Sequence, residues 1–230
     1  MTTFVLIPGA GGQAWYWHRL AAELERRGHV AVAVELPTDD DTAGLSAYAD
    51  TVVAAVGDRG PVVLVAQSMG GLTAPLVCGR LPVELLVLVN AMIPLPGETG
   101  GEWWTTTGQG AAQRAHWREE GLPGDPDDEA AVFFHDVPPD VLAVLLEQPF
   151  AQSTRPFEDP WPLTGWPDVP TRVVTARDDR LFPAAFQRRL AAERLGIAVD
   201  EVPGGHLVAL SHPVELADRL EDYVKDCVKD

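Results

Sequence analysis

The sequence predicts an α/β fold in which a mostly parallel central sheet is flanked by helices and carries an inserted helical cap. Along most of the 230 residues, short all-apolar runs alternate with segments of helical periodicity, as is typical of parallel strands buried on both faces. Between about residues 94 and 170 the alternation stops, and prolines and tryptophans accumulate. We therefore expect one domain, with a core of about residues 1–93 and 171–230 and a cap of about residues 94–170.

The core elements follow from apolar runs that end at glycine, proline or acidic turns. Six strands are predicted at residues 4–7, 30–34, 61–65, 85–89, 172–175 and 197–202. Helices are predicted between them at residues 15–27, 45–56, 69–80, 183–195 and 213–224. Within the cap, only residues 141–147 show the periodicity of a short amphipathic helix.

Composition limits the partners and the compartment. The formal net charge is −17, which disfavours nucleic acid and anionic membranes, so we expect neither as a partner. No apolar run has the length of a membrane span, and the first residues lack the basic segment of a signal peptide. Cys78 and Cys227 form no disulfide framework and suit a reducing compartment, so we expect a cytoplasmic protein. The oligomeric state stays open.

A glycine-rich loop follows the first predicted strand. The run from Gly9 to Ala14 matches G-x-G-x-x-A, and Glu35 ends the next strand, where a dinucleotide fold would bind a ribose. The bulky residues 15–17 oppose that hypothesis, and no tyrosine has the lysine four residues on that a short-chain reductase needs. A turn without a ligand and a loop that stabilises an oxyanion are the other two interpretations, and the site chemistry favours the last.

A stronger motif follows the third strand. Residues 66–71 read Ala-Gln-Ser-Met-Gly-Gly and open a helix, close to the G-x-S-x-G pattern of a strained strand-to-helix turn. Such a turn needs small neighbours and presents the Ser68 hydroxyl above the sheet. It also places the Met69 N–H at a helix N-terminus, where it can stabilise an oxyanion. Alternatively, Ser68 merely caps the helix.

Two further residues favour a nucleophilic role for Ser68. His206 follows the last strand after two glycines, and a pair of aspartates, Asp178 and Asp179, follows the strand before it. A serine nucleophile needs a base, and the base needs an orienting carboxylate. All these residues fall at the carboxyl ends of predicted strands, which meet at one edge of a parallel sheet.

The order serine, aspartate, histidine and these motifs make the chain similar to the α/β-hydrolase family. It most resembles the branch with plant methyl esterases, hydroxynitrile lyases and bacterial carboxylesterases. The resemblance implies a second oxyanion donor, the N–H of Ala10. Most relatives have histidine where this chain has Pro8, and Ala66 replaces the usual first glycine of the motif.

The resemblance also bears on which aspartate is the acid. In the family, the acid begins a short Asp/Glu-x-hydrophobic-x-Pro stretch, which we align here with Pro183. This alignment, together with the spacing to His206, leads us to assign Asp178. Asp179 is then expected to cap the following turn or pair with Arg180.

The resulting hypothesis is a serine esterase that uses Ser68, Asp178 and His206, with no cofactor and no metal. The His135-Asp136 pair alone is a poor metal signal. We expect the tryptophans and prolines of the cap to form an apolar roof over Ser68, so that the substrate is a small apolar ester. A biosynthetic thioesterase or cyclase and a non-catalytic binding protein remain alternatives. A hydroxynitrile lyase is disfavoured, since the resemblance implies that it needs lysine at Leu207 and threonine at Gly9.

Overall fold

The computed structural model describes residues 1–227, so the last three residues of the predicted core lie outside the described residues. Six strands form one sheet in the order β2-β1-β3-β4-β5-β6, and every neighbouring pair is parallel. The strands are β1 (Thr3–Ile7), β2 (Val30–Ala33), β3 (Val62–Gln67), β4 (Val83–Val89), β5 (Thr171–Ala176) and β6 (Val199–Val202). The predicted fold class is therefore confirmed, and each strand begins and ends within two residues of its prediction.

Eleven α-helices surround this sheet within residues 1–227, and a 3₁₀ turn, Ala14–Trp17, precedes the first. The helices of the core are α1 (His18–Arg26), α2 (Leu45–Val56), α3 (Gly70–Val77), α9 (Ala184–Leu195), α10 (Val208–Ser211) and α11 (Pro213–Cys227). Between β4 and β5 lie α4 (Gly100–Thr106), α5 (Gln109–Glu119), α6 (Glu129–Phe133), α7 (Pro139–Leu145) and α8 (Arg155–Glu158). None of these helices is both long and apolar enough to cross a membrane.

The all-apolar strands are explained by two separate hydrophobic clusters, one on each face of the sheet. In β1, Val5 and Ile7 pack into the cluster that contains α2, α3 and α9, while Phe4 and Leu6 pack into the cluster with α1 and α11. Successive side chains point to opposite faces of a strand, so a strand covered on both sides must be apolar at every position.

Four helices between β4 and β5 were not predicted: α4, α6 and α8 have only four to seven residues, and the 11 residues of α5 show no sustained apolar period. One of them carried a readable signal. Thr99 caps α4 by accepting the N–H of Glu102, whose carboxylate accepts the Thr99 N–H in return. This capping box, Thr-x-x-Glu, is visible in the sequence.

The buried tryptophans attach this insert to the core. Trp103 and Trp161 are almost inaccessible, and their indole N–H groups donate to the carbonyls of Ile93 and Leu72. Because a buried indole N–H needs an acceptor, these bonds determine how the rings seat against the sheet. The two tryptophans therefore belong to the hydrophobic core.

A buried ion pair joins the same region to α9. The Arg194 guanidinium donates to both carboxylate oxygens of Glu98, and their side chains are only 8% and 7% exposed. Burial opposes ionisation of Glu98, but the hydrogen bonds from Arg194, Thr106 and the Leu95 N–H outweigh it and lower the pKa of this carboxyl. The pair therefore stabilises the fold while Glu98 is ionised.

We expect Glu98→Gln to lower the free energy of unfolding at neutral pH by about 3 kcal/mol, because it leaves the Arg194 charge buried without its partner. Urea titrations of both proteins measure this difference. Since folding lowers the pKa of Glu98, the difference is fully present above the ordinary value of 4.5 and shrinks as the pH falls below it.

Glu193→Gln is the matched control, because Glu193 forms an ion pair with Arg189 on the surface of the same helix. An exposed pair of this kind contributes about 0.5 kcal/mol or less. Equal losses for the two variants would contradict the assigned role of the buried pair.

Candidate active site

Ser68 lies in a strained turn between β3 and α3. Its φ is +52°, a left-handed conformation that costs free energy in a residue with a side chain. The backbone around it compensates: the Ser68 N–H donates to Val89, and its carbonyl accepts the N–H groups of Gly71 (3.1 Å) and Met92 (2.9 Å). The turn therefore holds the Ser68 hydroxyl at the carboxyl edge of the sheet, as the motif predicts.

The glycines of this turn are required by close backbone contacts. A Cβ atom on Gly70 would lie 2.8 Å from the Pro8 carbonyl oxygen, and one on Gly71 only 2.0 Å from that of Met92. Gly9 meets Ser68 from the other side, where a Cβ would lie 2.7 Å from the Ser68 Cβ. The loop after β1 and the Ser68 turn are thus pressed together.

His206 faces Ser68 from the loop that follows β6. Its Nε2 lies 3.1 Å from the Ser68 Oγ, and the residue is 1% exposed. The rings of Phe133 and Phe182 meet the imidazole edge-on at centroid distances of 5.3 and 5.2 Å. The imidazole is therefore enclosed and within hydrogen-bonding distance of the serine hydroxyl.

The carboxylate bound to His206 is that of Asp179, so the assignment of Asp178 was wrong. The Asp179 Oδ2 lies 2.8 Å from the His206 Nδ1, and its Oδ1 accepts the N–H groups of Leu181 (2.8 Å) and Phe182 (2.9 Å). Asp179 is fully buried, and a buried carboxylate needs such partners on both oxygens. In the tautomer with a proton on Nδ1, His206 donates to Asp179 and accepts from Ser68.

Asp178 points away from the site because it still follows the ladder between β5 and β6. Its N–H donates to the Gly204 carbonyl, and its half-exposed side chain pairs with Arg177 at 3.0 Å. Burial opposes ionisation, but the hydrogen bonds from Arg177 and the Gly204 N–H lower the pKa of Asp178. The chain turns inward only at Asp179. Counted back from Pro183, the acid-x-hydrophobic-x-Pro stretch also begins at Asp179.

The N–H groups of the loop after β1 differ in whether they have a protein acceptor. The Gly11 N–H donates to the Gln152 side chain (2.9 Å), and the Gly12 N–H to the Gly9 carbonyl (3.1 Å). Within residues 1–227, neither the Ala10 N–H nor the Met69 N–H has a protein partner. Both residues line the cavity that contains Ser68. These two groups are therefore available to a bound oxygen atom.

Glu35, a candidate ribose ligand in the dinucleotide hypothesis, has a structural partner. Its carboxylate accepts the Ala14 N–H at 2.6 Å, at the start of the 3₁₀ turn. It thereby satisfies one of the unpaired donors at that end. Among the described residues, no group of three or more His, Cys, Asp or Glu side chains is placed to hold a metal ion.

A cavity of about 460 Å³ opens above Ser68 and His206. Its wall is largely apolar and includes Trp104, Phe133, Phe134, Phe150, Phe157 and Leu181. We expected the tryptophans of the cap to cover Ser68, and this expectation is wrong. Within the described chain, Trp104 is the only tryptophan of the insert that lines this cavity. Phenylalanines and leucines take their place, because Trp103 and Trp161 are used in core packing.

Comparison with known proteins agrees with this geometry. The profile of the alpha/beta hydrolase family matches residues 4–219. The chain belongs to the alpha/beta hydrolase family. The probable esterase PIR7A of Oryza sativa subsp. indica is 26% identical, with 94% of each chain covered.

Two further similarities are to a plant enzyme and to a solved structure of the same fold. The alpha-hydroxynitrile lyase of Arabidopsis thaliana is 26% identical, with 97% of each chain covered. The crystal structure of the methylesterase protein MES16 from Arabidopsis shares the fold, with a TM-score of 0.77 and 20% identity over 98% of this chain and 99% of that one.

Two residues that the sequence motifs did not single out hold the histidine loop of this hydrolase. Asn90, at the end of β4 with φ of +45°, donates to the carbonyls of Gly205 (3.3 Å) and His206 (3.2 Å) and accepts the Ala176 N–H (2.7 Å). Gln67 also donates to the His206 carbonyl. Asn90 was readable as an asparagine that ends a buried strand, where a left-handed residue can turn the chain.

We expect Asp179→Asn to slow fluorophosphonate labelling of Ser68 by about 10⁴-fold, because the amide favours the wrong imidazole tautomer. Asp178→Asn is the adjacent control and should label within about twofold of wild type, since its side chain faces Arg177. Labelling rates followed by intact-protein mass spectrometry measure both. Equal rates, or a slower Asp178→Asn, would contradict the geometry.

Proposed function

We propose that this chain is a serine hydrolase of small, uncharged carboxylic esters. One observation carries the proposal: Ser68, His206 and Asp179 form a continuous hydrogen-bonded chain, with Ser68 at the floor of an apolar cavity. A serine aligned with an imidazole and a buried carboxylate has the arrangement that activates a hydroxyl for attack on a carbonyl. The name of the probable rice esterase supports the same reaction class.

In the proposed mechanism, His206 Nε2 removes the Ser68 proton as Oγ attacks the ester carbonyl carbon. Asp179 stabilises the positively charged imidazolium and keeps its ring orientation. The imidazolium then gives its proton to the alcohol oxygen as the carbon–oxygen bond breaks, which leaves an acyl group on Ser68. Water, deprotonated by His206, attacks that acyl group and releases the acid. No cofactor is needed for this balance.

The tetrahedral intermediate carries a negative oxygen, and we propose that the N–H groups of Ala10 and Met69 stabilise it. Both groups lack a protein partner in the described chain, and Met69 lies at the start of α3. This chain has Pro8 where most of the family has a histidine. The replacement removes neither oxyanion donor, because both donors are backbone N–H groups of other residues. Two fixed donors in a largely apolar cavity favour the oxyanion over the uncharged ground state.

The cavity supports an apolar substrate. Its volume falls in the range of small-molecule sites, and its aromatic and aliphatic wall offers few polar partners. Glu129 also lines it, and the whole chain carries a net charge of −17. We therefore propose that anionic esters, nucleic acids and anionic membranes are disfavoured.

The hydroxynitrile lyase relative has a different reaction, and two residues bear on the choice. Leu207 follows His206, and Gly9 lies against Ser68, so neither position offers an ammonium or hydroxyl group to a cyanohydrin. We therefore propose hydrolysis. We also propose a cytoplasmic location, since a chain with only two cysteines, Cys78 and Cys227, has no disulfide framework and suits a reducing compartment.

We expect the wild-type protein to hydrolyse neutral p-nitrophenyl and methyl esters and to be labelled by a fluorophosphonate at Ser68 alone. Ser68→Ala and His206→Ala should each lower kcat by about 10³-fold or more, because the two residues act as a unit. Steady-state kinetics and peptide mapping measure this. Ser153→Ala is the control, because Ser153 accepts the Arg155 N–H outside the site. Label on Ser153 or Ser211 with Ser68 unlabelled would contradict the proposal, as would cyanohydrin cleavage without ester turnover.

We expect a neutral ester to exceed its carboxylate-bearing analogue in kcat/KM by about 10-fold or more, because the wall is apolar and the protein is acidic. Glu129→Gln should narrow this ratio, since it removes a carboxylate from the cavity wall. Glu119→Gln makes the same charge change on an exposed face of α5 and should leave the ratio unchanged. Equal kcat/KM values for the two esters in the wild type would contradict the apolar pocket.

A further inference from the structure

One cap segment reaches the loop that carries His206. Asp136, between α6 and α7, accepts the Gly205 N–H on its Oδ2 at 2.6 Å. A hydrogen bond from an N–H to an ionised carboxylate is shorter and stronger than one between neutral groups. Gly205 immediately precedes His206, so this bond acts on the backbone from which the imidazole projects.

Residue 205 must be glycine because His135 and Asp136 approach its backbone closely. A Cβ atom on Gly205 would lie 2.6 Å from the His135 Nε2 and 2.7 Å from the Asp136 Oδ1. Atoms at these distances would overlap, so a side chain at residue 205 would push the cap segment away. The absence of a side chain allows Asp136 to approach the backbone directly.

The carbonyl groups of the same loop are held from the core. Asn90 donates to the carbonyls of Gly205 and His206, and Gln67 donates to that of His206. Asp136 holds the remaining polar group of Gly205, its N–H, from the opposite side. The Gly205–His206 loop is therefore hydrogen-bonded both to residues at the end of the sheet and to the cap.

Two histidines lie near the Asp136 carboxylate, but neither is as close to it as the Gly205 N–H. The His135 Nε2 is 4.0 Å from the Asp136 Oδ1, and the His212 Nδ1 is 3.7 Å from the Oδ2, so neither forms a close hydrogen bond. Burial lowers the pKa of His135, against the opposite effect of Asp136, and so keeps this imidazole neutral at pH 7. Within residues 1–227 the Asp136 Oδ1 has no hydrogen-bond partner, which makes Gly205 the close partner of this carboxylate.

We propose that Asp136 is a positioning residue: through the Gly205 N–H it holds the His206 loop so that the imidazole stays aligned with Ser68. The expected effect of Asp136 on kcat rests on the proposed esterase function. Its effect on the position of the His206 loop does not. It also gives a role to Asp136 of the His135-Asp136 pair. Asp136 touches no substrate and acts only through the loop.

The test compares Asp136→Ala, Asp136→Asn and the control Asp140→Asn. Asp140 is an exposed acid in the first turn of α7, so its variant changes the charge of the same segment without touching the loop. For each protein, kcat and KM are measured with a neutral p-nitrophenyl ester. The low-field proton resonance of the His206 Nδ1–H and the Tm are also recorded.

We expect Asp136→Ala to lower kcat by about 10-fold to 100-fold with KM within twofold, because small misplacements of a catalytic group are costly. The Nδ1–H resonance should broaden or shift. Asp136→Asn keeps an acceptor oxygen and should recover most of kcat and the resonance. Asp140→Asn should match wild type.

Three results would overturn the proposal: wild-type kcat in Asp136→Ala, an unchanged resonance in that variant, or equal losses in Asp136→Asn and Asp136→Ala. If Asp136→Ala does not fold, Asp136→Leu removes the acceptor while filling the space, and the same criteria apply. If the wild type shows no ester turnover, the proposed function fails. The dependence of the resonance on Asp136 still decides the positioning role.

Discussion

The hydrogen bond between the Asp179 Oδ2 and the His206 Nδ1 is the constraint on which the site depends. Both groups are almost inaccessible to water, so the carboxylate must find all its partners within the protein. The N–H groups of Leu181 and Phe182 satisfy its other oxygen, which requires a tight turn directly after β5. The position of the acid is therefore set by the backbone that can satisfy it.

The strained Ser68 turn depends on the same edge of the sheet. Its left-handed φ is maintained by hydrogen bonds to the ends of neighbouring segments, Val89 and Met92, and by glycines that let the β1 loop approach. The strain is thus held by the packed core and not by the motif alone. A serine in the same local sequence on a surface loop would have no such support.

The segment between β4 and β5 does more than cover the cavity. The Glu98–Arg194 pair and the buried tryptophans Trp103 and Trp161 attach it to the core, and Gln152 accepts the N–H of Gly11 beside the proposed oxyanion donor. If Asp136 holds the histidine loop as proposed, the segment contacts both sides of the candidate active site. Substitutions in the cap would then change kcat as well as substrate preference.

The sequence by itself determined the sheet, the Ser68 turn and His206, because each rests on a local pattern: apolar runs buried on two faces, and glycines that permit close turns. The tertiary structure decided the rest. Asp178 and Asp179 are chemically equal neighbours, and only the end of the β5–β6 ladder shows which carboxylate turns inward. Likewise, tryptophans and phenylalanines are both large apolar aromatic residues, so the composition of the insert does not separate their roles. Which of them pack in the core and which line the cavity depends on contacts between residues far apart in the chain, and local sequence patterns do not encode such contacts.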